Sequence, residues 1–418
     1  MGNEPEKPWS DEELKRRGVG YGKKALWVVD HPYRPSEYDI SSMSRYVSAV
    51  WKAAERVTES FGRDERLKAL FGYGPLQTRC ILKDPGYRPI IPLGRLDAFV
   101  VDGTPRFMEF NTDGTAGWHY SSALTALWRE HARLQAEASS LDDRLLATII
   151  ACFRRWDKKG VERPRIAVVD WDTVGTLPEL NALAAGIGDA GFPVSIEDPR
   201  GLRLSSGRLV GSQGPIDIVY RRLVSEEAFA RSEEIRPFLD AWLSDAACFV
   251  GGFCTDPAWS KTLFVVLSDP SYADLFPAEL KADLDECIPW TRALVGGPVM
   301  YGGRLVDMEN LLLERREEFL IKPARSYEGR GLLAGAHSSR DAWESGVKEA
   351  LRAKNSIAQA FLRPDPESVP GLGRVFIQPG AYVLEGKLAG YLPRMSPTEL
   401  ITPGVAEYYC PVGVEVPW

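Results

Sequence analysis

The sequence predicts a mixed α/β protein of two or three structural units, and three stretches carry that expectation. Residues 96–110 read as two strands around an Asp-Gly turn, residues 164–255 alternate short apolar runs with a helical pattern, and residues 319–362 do so again. With 418 residues, 44% of them hydrophobic, the chain has ample material for more than one core.

Taken in order, residues 1–25 are charged and Gly-rich and read as a loose leader. Over residues 39–69 the apolar positions recur at helical spacing, which predicts one or two helices. Residues 96–101 form a strand and 106–110 its return, because Asp102-Gly103 supplies the positive φ that a tight hairpin wants. Residues 120–160 are helical in pattern. A second unit opens near Pro164 with the apolar run 166–170, as a buried parallel strand should read. A helix over 177–190, a strand near Val194 and a strand over 216–220 follow. This βαβ alternation predicts a small Rossmann-like domain over 164–255, without the Gly-x-Gly-x-x-Gly turn of a dinucleotide site. The third region, 256–418, opens with helices (261–267 and 277–287). A strand ending in lysine (319–323), a loop (324–331), a strand (332–335), a helix (341–353), a strand (357–362) and a hairpin around Glu385-Gly386-Lys387 complete it. Residues 1–163 remain as an N-terminal unit carrying the first hairpin.

Composition excludes several classes. A net charge of −7 favours solubility and argues against a nucleic-acid partner. The cysteines (Cys80, Cys152, Cys248, Cys254, Cys287, Cys410) show no Cys-x-x-Cys pair and read as reduced, buried thiols. The four histidines are too dispersed to mark a zinc site. The first residues lack an apolar signal core, and no apolar stretch reaches bilayer length, so a cytoplasmic protein with no membrane association is expected. The oligomeric state is not legible.

Three constellations bear on chemistry. Glu109 and Asn111 lie two apart on one face of a strand, and the turn brings Asp97 beside them. Few oxygen ligands with places left for phosphate suit magnesium, and Arg95 shares the face of Asp97. A solvated acidic hairpin gives the same pattern, and spacing alone favours that reading. Lys322 ends a strand before a loop closing Gly329-Arg330-Gly331, a credible phosphate grip or an ordinary turn. The strand around Gln359 and Ala360 suits either an adenine edge or a core.

Together these stretches resemble the circularly permuted ATP-grasp enzymes, specifically the synthetase domain of glutathionylspermidine synthases and related carboxylate–amine ligases. Gly94-Arg95-Leu96-Asp97-Ala98-Phe99, followed by Glu109-Phe110-Asn111-Thr112-Asp113-Gly114-Thr115, resembles the family's hairpin and acidic stretch, with alanine rather than an aromatic after Asp97. Residues 216–222 resemble its strand before the ATP region, and Ser260-Lys261-Thr262-Leu263 its first nucleotide lysine. Lys322-Pro323 with Glu328-Gly329-Arg330-Gly331 resembles its second lysine and glycine loop, and residues 389–394 its late hairpin with a functional arginine. The matches span roughly residues 90–405, and their order and spacing make the combination fairly specific.

The resemblance implies ATP and Mg2+ as cofactors, with small-molecule or peptide carboxylate and amine substrates. A carboxylate would attack the γ-phosphate, and an amine would then attack the acyl phosphate. Asp97, Glu109 and Asn111 would hold magnesium. Lys261 and Lys322 would hold phosphates, and the segment from Ser326 through Glu328, Gly329 and Arg330 to Gly331 would close over them. Arg95 and Arg394 would stabilise the developing charge, and Gln359 with Ala360 would form the adenine hinge. Thr112, Asp113, Thr115 and His119 follow the metal residues and would line the substrate pocket, although His119 reads more readily as a packing residue. The stretch before the hairpin is too short for the amidase domain of the bifunctional glutathionylspermidine enzymes, so substrates other than glutathione and spermidine are expected to be open to it. A kinase on the same fold, or a non-catalytic nucleotide-binding protein, remains a rival reading.

Overall fold

The computed structural model describes residues 8–135, 137, 139–157, 160–401 and 407–417. Its centre is a six-stranded antiparallel sheet that joins the two ends of the chain. The hairpin Leu93–Val101/Thr104–Asn111 lies beside the late hairpin Gly373–Leu384/Lys387–Ser396, with Gly380 opposite Asp97 and Leu384 opposite Leu93. Tyr408–Tyr409 adds a strand at one edge, and Glu367–Val369 pairs with Gly373–Leu384. The segments 1–163 and 256–418 therefore share one sheet and one core, in which Phe107 and Phe110 pack with Leu263, Phe264 and Tyr391.

The helix Glu37–Ser60 covers this sheet. Met43, Val47, Val50, Ala54 and Val57 recur at spacings of three and four and are all buried, while Ser36 and Asp39 form a reciprocal cap at its start. Of the one or two helices expected over residues 39–69, the structure has two, this one and Glu65–Phe71.

The expected Rossmann-like unit has a parallel sheet in the order Cys248–Val250, Ile218–Arg221, Ile166–Val169, Val194–Glu197. The helix Leu177–Asp189 makes the first crossover. A small three-stranded sheet over residues 203–215, absent from the sequence reading, is inserted before Ile218. The third unit is an antiparallel sheet ordered Thr291–Ala293, Ser356–Ala360, Phe319–Pro323, Leu333–Ala334, backed by the helix Arg340–Ala353 through the buried Trp343.

The loose-leader expectation is corrected for the described residues. Asp11–Arg16 is a helix capped by Ser10, and Gly20–Tyr21 pairs with Lys24–Ala25. Burial of Leu14 and Val19, the Arg17–Glu130 ion pair at 2.7 Å and the Gly22 amide on the Gly175 carbonyl at 2.6 Å hold the segment down. Residues 1–7 lie outside the described part. All six cysteines are free and buried. No described helix is long and apolar enough to cross a membrane.

Candidate active site

The three units meet around a cleft of about 580 Å³. Its floor is the first hairpin, whose register sets Asp97 opposite Glu109 and Arg95 opposite Asn111. Asp97 is 1% exposed. Arg95 Nε donates to Asp97 Oδ1 at 2.7 Å and its Nη2 to Oδ2 at 3.1 Å. Arg394, delivered by the late hairpin, donates from Nη2 to the same Oδ2 at 2.9 Å, and Asn111 Nδ2 reaches it at 3.3 Å. Burial raises the Asp97 carboxyl, but Arg95 and Arg394 outweigh it and hold the group below the usual carboxylate range. Gly380 makes room for this stack, since a Cβ there would lie 2.8 Å from Arg95 Cδ and 3.1 Å from Asp97 Oδ1.

Glu109 is more open. Its Oε1 accepts from Asn111 Nδ2 at 3.4 Å, and its Oε2 lies 3.5 Å from Lys261 Nζ. Lys261 sits at the start of the helix Thr262–Ser268, and its Nζ also donates to the Ser326 carbonyl at 2.6 Å. Lys322 comes from the central strand of the third sheet, and its Nζ donates to Gln359 Oε1 at 2.9 Å. Burial pulls the Lys322 ammonium down to about 8, with Glu109 opposing and Lys261 adding to the shift. Four cations from four separate strands and helices thus face two carboxylates, Asp97 and Glu109, in one cleft.

Sequence and structure differ at several positions. Neither Gln359 nor Ala360 lines the cleft. Gln359 turns inward, wholly buried, and Nε2 donates to Thr291 Oγ1 at 3.1 Å, so it serves Lys322 instead of an adenine edge. The apolar wall is instead formed by Leu320, Leu332, Phe361 and Leu362. Asp113 and Thr115 line the cleft; Thr112 and His119 do not. Thr112 Oγ1 donates to the Thr255 carbonyl at 3.1 Å. The His119 ring is packed between Asp142 Oδ2 at 2.7 Å and the Arg17 carbonyl at 2.8 Å. Asp113 carries load, accepting from the Ser225 amide at 2.6 Å and pairing with Arg221.

The loop expected to close over the phosphates is folded across the cleft. Ser326, Glu328, Gly329 and Arg330 line it; Gly331, which does not, has φ +73°. Glu328 and Gly329 also have positive φ, +55° and +68°. Tyr21 Oη donates to Glu328 Oε1 at 2.9 Å, Tyr327 Oη bonds Glu227, and Arg330 Nη1 donates to Tyr327 Oη at 2.7 Å. The loop is thereby tied to the N-terminal segment and to the Rossmann-like unit.

That unit supplies cleft residues that the sequence reading missed, Asp170, Trp171 and Arg222 among them. Their signal was available: each follows a buried parallel strand at its carboxyl end, where α/β sheets bind ligands. Burial raises the Asp170 carboxyl to about 6, against partial opposition from Arg222. The folded state therefore keeps this proton where the unfolded chain has lost it, and stability falls as pH rises from about 4 to about 6. Asp170→Asn is expected to raise the melting temperature at about pH 7.5 and not at about pH 4, by at most about 3 kcal/mol of stability. Gly114 locks the hairpin exit against the same unit, with φ +60° and a Cβ position 2.6 Å from the Arg222 carbonyl oxygen. Gly114→Ala should cost about 1–3 kcal/mol, read by urea denaturation.

The donor set suits a hard cation. Glu109 and Asn111 are oxygen donors beside Lys261 and Lys322, whereas both Asp97 oxygens are taken by Arg95, Arg394 and Asn111. Asp97, which sequence placed in the metal set, is here the counter-charge that fixes the two arginines. No cluster of three or more His, Cys, Asp or Glu side chains suited to a metal occurs among the described residues.

No sequence family and no curated protein matches the chain. In structure it is similar to a glutathione synthetase-like effector from Globodera pallida in its apo form, with a TM-score of 0.64 and 11% identity over 96% of this chain and 94% of that one. A provisionally assigned gamma-glutamylcysteine synthetase from Methylobacillus flagellatus KT superposes with a TM-score of 0.44 and 12% identity, over 92% and 90% of the two chains. The first likeness is one of fold alone: the chain shares the mixed α/β fold of that protein.

Proposed function

We propose that the protein is an ATP- and Mg2+-dependent ligase of the permuted ATP-grasp kind, joining a carboxylate to an amine through an acyl phosphate. The observation that carries this reading is the convergence of Arg95, Arg394, Lys261 and Lys322 on one cleft with Glu109 and Asn111. Such a cluster matches a triphosphate and the charge that develops on a transferring phosphoryl group.

In this reading ATP lies with its base against Leu320, Leu332, Phe361 and Leu362 and its phosphates on Lys261 and Lys322. Glu109 and Asn111 would hold magnesium, which neutralises phosphate charge when bound. Arg95 and Arg394, held rigid by Asp97, face the reacting carboxylate and the acyl phosphate. A carboxylate oxygen attacks the γ-phosphorus and ADP leaves; the amine then attacks the acyl carbon and phosphate leaves. The loop over residues 326–331 excludes water, which would hydrolyse the acyl phosphate. Tyr21→Phe removes the hydrogen bond to Glu328 and should raise the fraction of ATP turnover that ends in hydrolysis instead of ligation, measured as phosphate released per product formed.

The test is hydroxylamine trapping during an ADP-release screen of amino acids and short peptides. An acyl hydroxamate formed with ADP is expected. A stable phosphorylated product with no hydroxamate would instead identify a kinase.

A further inference from the structure

Resting on the ligase reading, we propose that the crevice between the strands Ile166–Val169 and Ile218–Arg221 binds the head group of an α-amino acid, its carboxylate on Arg222 and its ammonium on Asp170.

Topology places the crevice. The chain lays down Ile166–Val169 first, adds Val194–Glu197 on one side, then returns to place Ile218–Arg221 and Cys248–Val250 on the other. The strand order reverses between the first of these and Ile218–Arg221, and in open parallel sheets the ligand crevice opens at the carboxyl ends of the strands at that point. Asp170 and Arg222 are the first residues beyond those two ends, and both line the cleft.

Each group has unused valence. Arg222 is 2% exposed; Nη2 donates to Glu179 Oε2 at 3.2 Å, while Nε and Nη1 have no hydrogen-bond partner. A buried guanidinium with two idle nitrogens is costly unless something accepts from it. The Arg222 guanidinium lies over the Tyr220 ring at 6.0 Å and Glu179 fixes its remaining fork, so it is preset and not mobile. Asp170 Oδ1 accepts from the Trp171 amide at 2.9 Å, and Oδ2 has no partner among the described residues. The two groups shift each other's ionisation, yet they form no ion pair within 4.0 Å among the described residues. That leaves a gap flanked by opposite charges.

The surroundings favour the same occupant. Thr173–Thr176 line the cleft at the start of the 13-residue helix Leu177–Asp189. The Trp171 ring, braced by Arg231 at 3.9 Å, forms a flat wall. A polyamine would set an uncompensated cation against Arg222, and a plain carboxylate would sit against Asp170. A zwitterion satisfies both.

Calorimetric titration of the full chain with the twenty proteinogenic amino acids, each beside its N-acetyl and carboxamide derivatives and first without nucleotide, tests this. At least one free amino acid should bind at least tenfold more tightly than both of its derivatives. Asp170→Asn keeps an acceptor for the Trp171 amide and should weaken the free amino acid at least tenfold while leaving its N-acetyl derivative unchanged. Arg222→Lys keeps a charge for Glu179 and should likewise weaken the free acid but not the carboxamide. Binding of no amino acid, or equal binding of the derivatives, overturns the inference. A protein that binds AMP-PNP with Mg2+ and no amino acid refutes this subsite and leaves the ligase reading standing; the opposite pattern refutes the ligase reading alone.

Discussion

If the proposed ligase reading holds, Lys322→Met is expected to lower ATP turnover about 100- to 1000-fold, the loss typical of removing one preorganised charge from a reacting centre. The geometry also sets the accompanying stability change. Lys322 is buried, its ammonium is pulled down to about 8, and its Nζ has only Gln359 Oε1 at 2.9 Å as a neutral acceptor. Methionine keeps the length and removes the desolvated charge, so the melting temperature should hold or rise while activity collapses. Gln359 keeps its second hydrogen bond, to Thr291 Oγ1 at 3.1 Å. Steady-state ADP release and a thermal melt on the same preparation separate loss of chemistry from loss of fold. Activity within about threefold of wild type would remove Lys322 from the phosphate site.

Asp97→Ala is expected to have the largest effect on stability, a loss of about 3–5 kcal/mol, because two buried guanidinium groups lose a shared carboxylate at once. Arg95 gives Asp97 contacts at 2.7 and 3.1 Å, and Arg394 one at 2.9 Å. Arg394 keeps Gln378 Oε1 and the Glu407 carboxylate, 3.4 Å from its Nη1, whereas Arg95 keeps the Ala116 carbonyl at 2.8 Å, so the lost carboxylate weighs most on Arg95. The double variant Asp97→Ala/Arg394→Met should recover part of the loss, and a double-mutant cycle by urea denaturation reads the coupling directly. Additive losses would mean that the Asp97–Arg394 contact is not energetically real.

How much of this was legible in the sequence depended on how local the signal was. The first hairpin was visible because Asp102-Gly103 fixes its turn and Glu109-x-Asn111 its face. Its pairing with the strand Gly373–Leu384 leaves no local trace, since the partners lie far apart in the chain, and only the family-like motif order hinted at it. Gln359 was misread for a related reason. Its strand is buried along both faces, so the period-two pattern that would orient a side chain is absent. The helix Asp11–Arg16 did announce itself: Ser10 precedes Asp11-Glu12-Glu13, and the Ser10 hydroxyl accepts from the Glu13 amide at 3.1 Å. The charge of the surrounding stretch concealed it. Asp170 and Arg222 each follow an apolar run in the sequence, but their meeting depends on the strand order, which a sequence does not state.

The most direct test of the central claim is calorimetric binding of AMP-PNP to the wild-type protein with and without Mg2+, and to Glu109→Gln and Lys261→Met. One molecule should bind per chain, Mg2+-dependently, with each substitution weakening it about tenfold or more. No binding by the wild type, or binding indifferent to Mg2+ and to both substitutions, would show that the cations over the first hairpin do not form a nucleotide site.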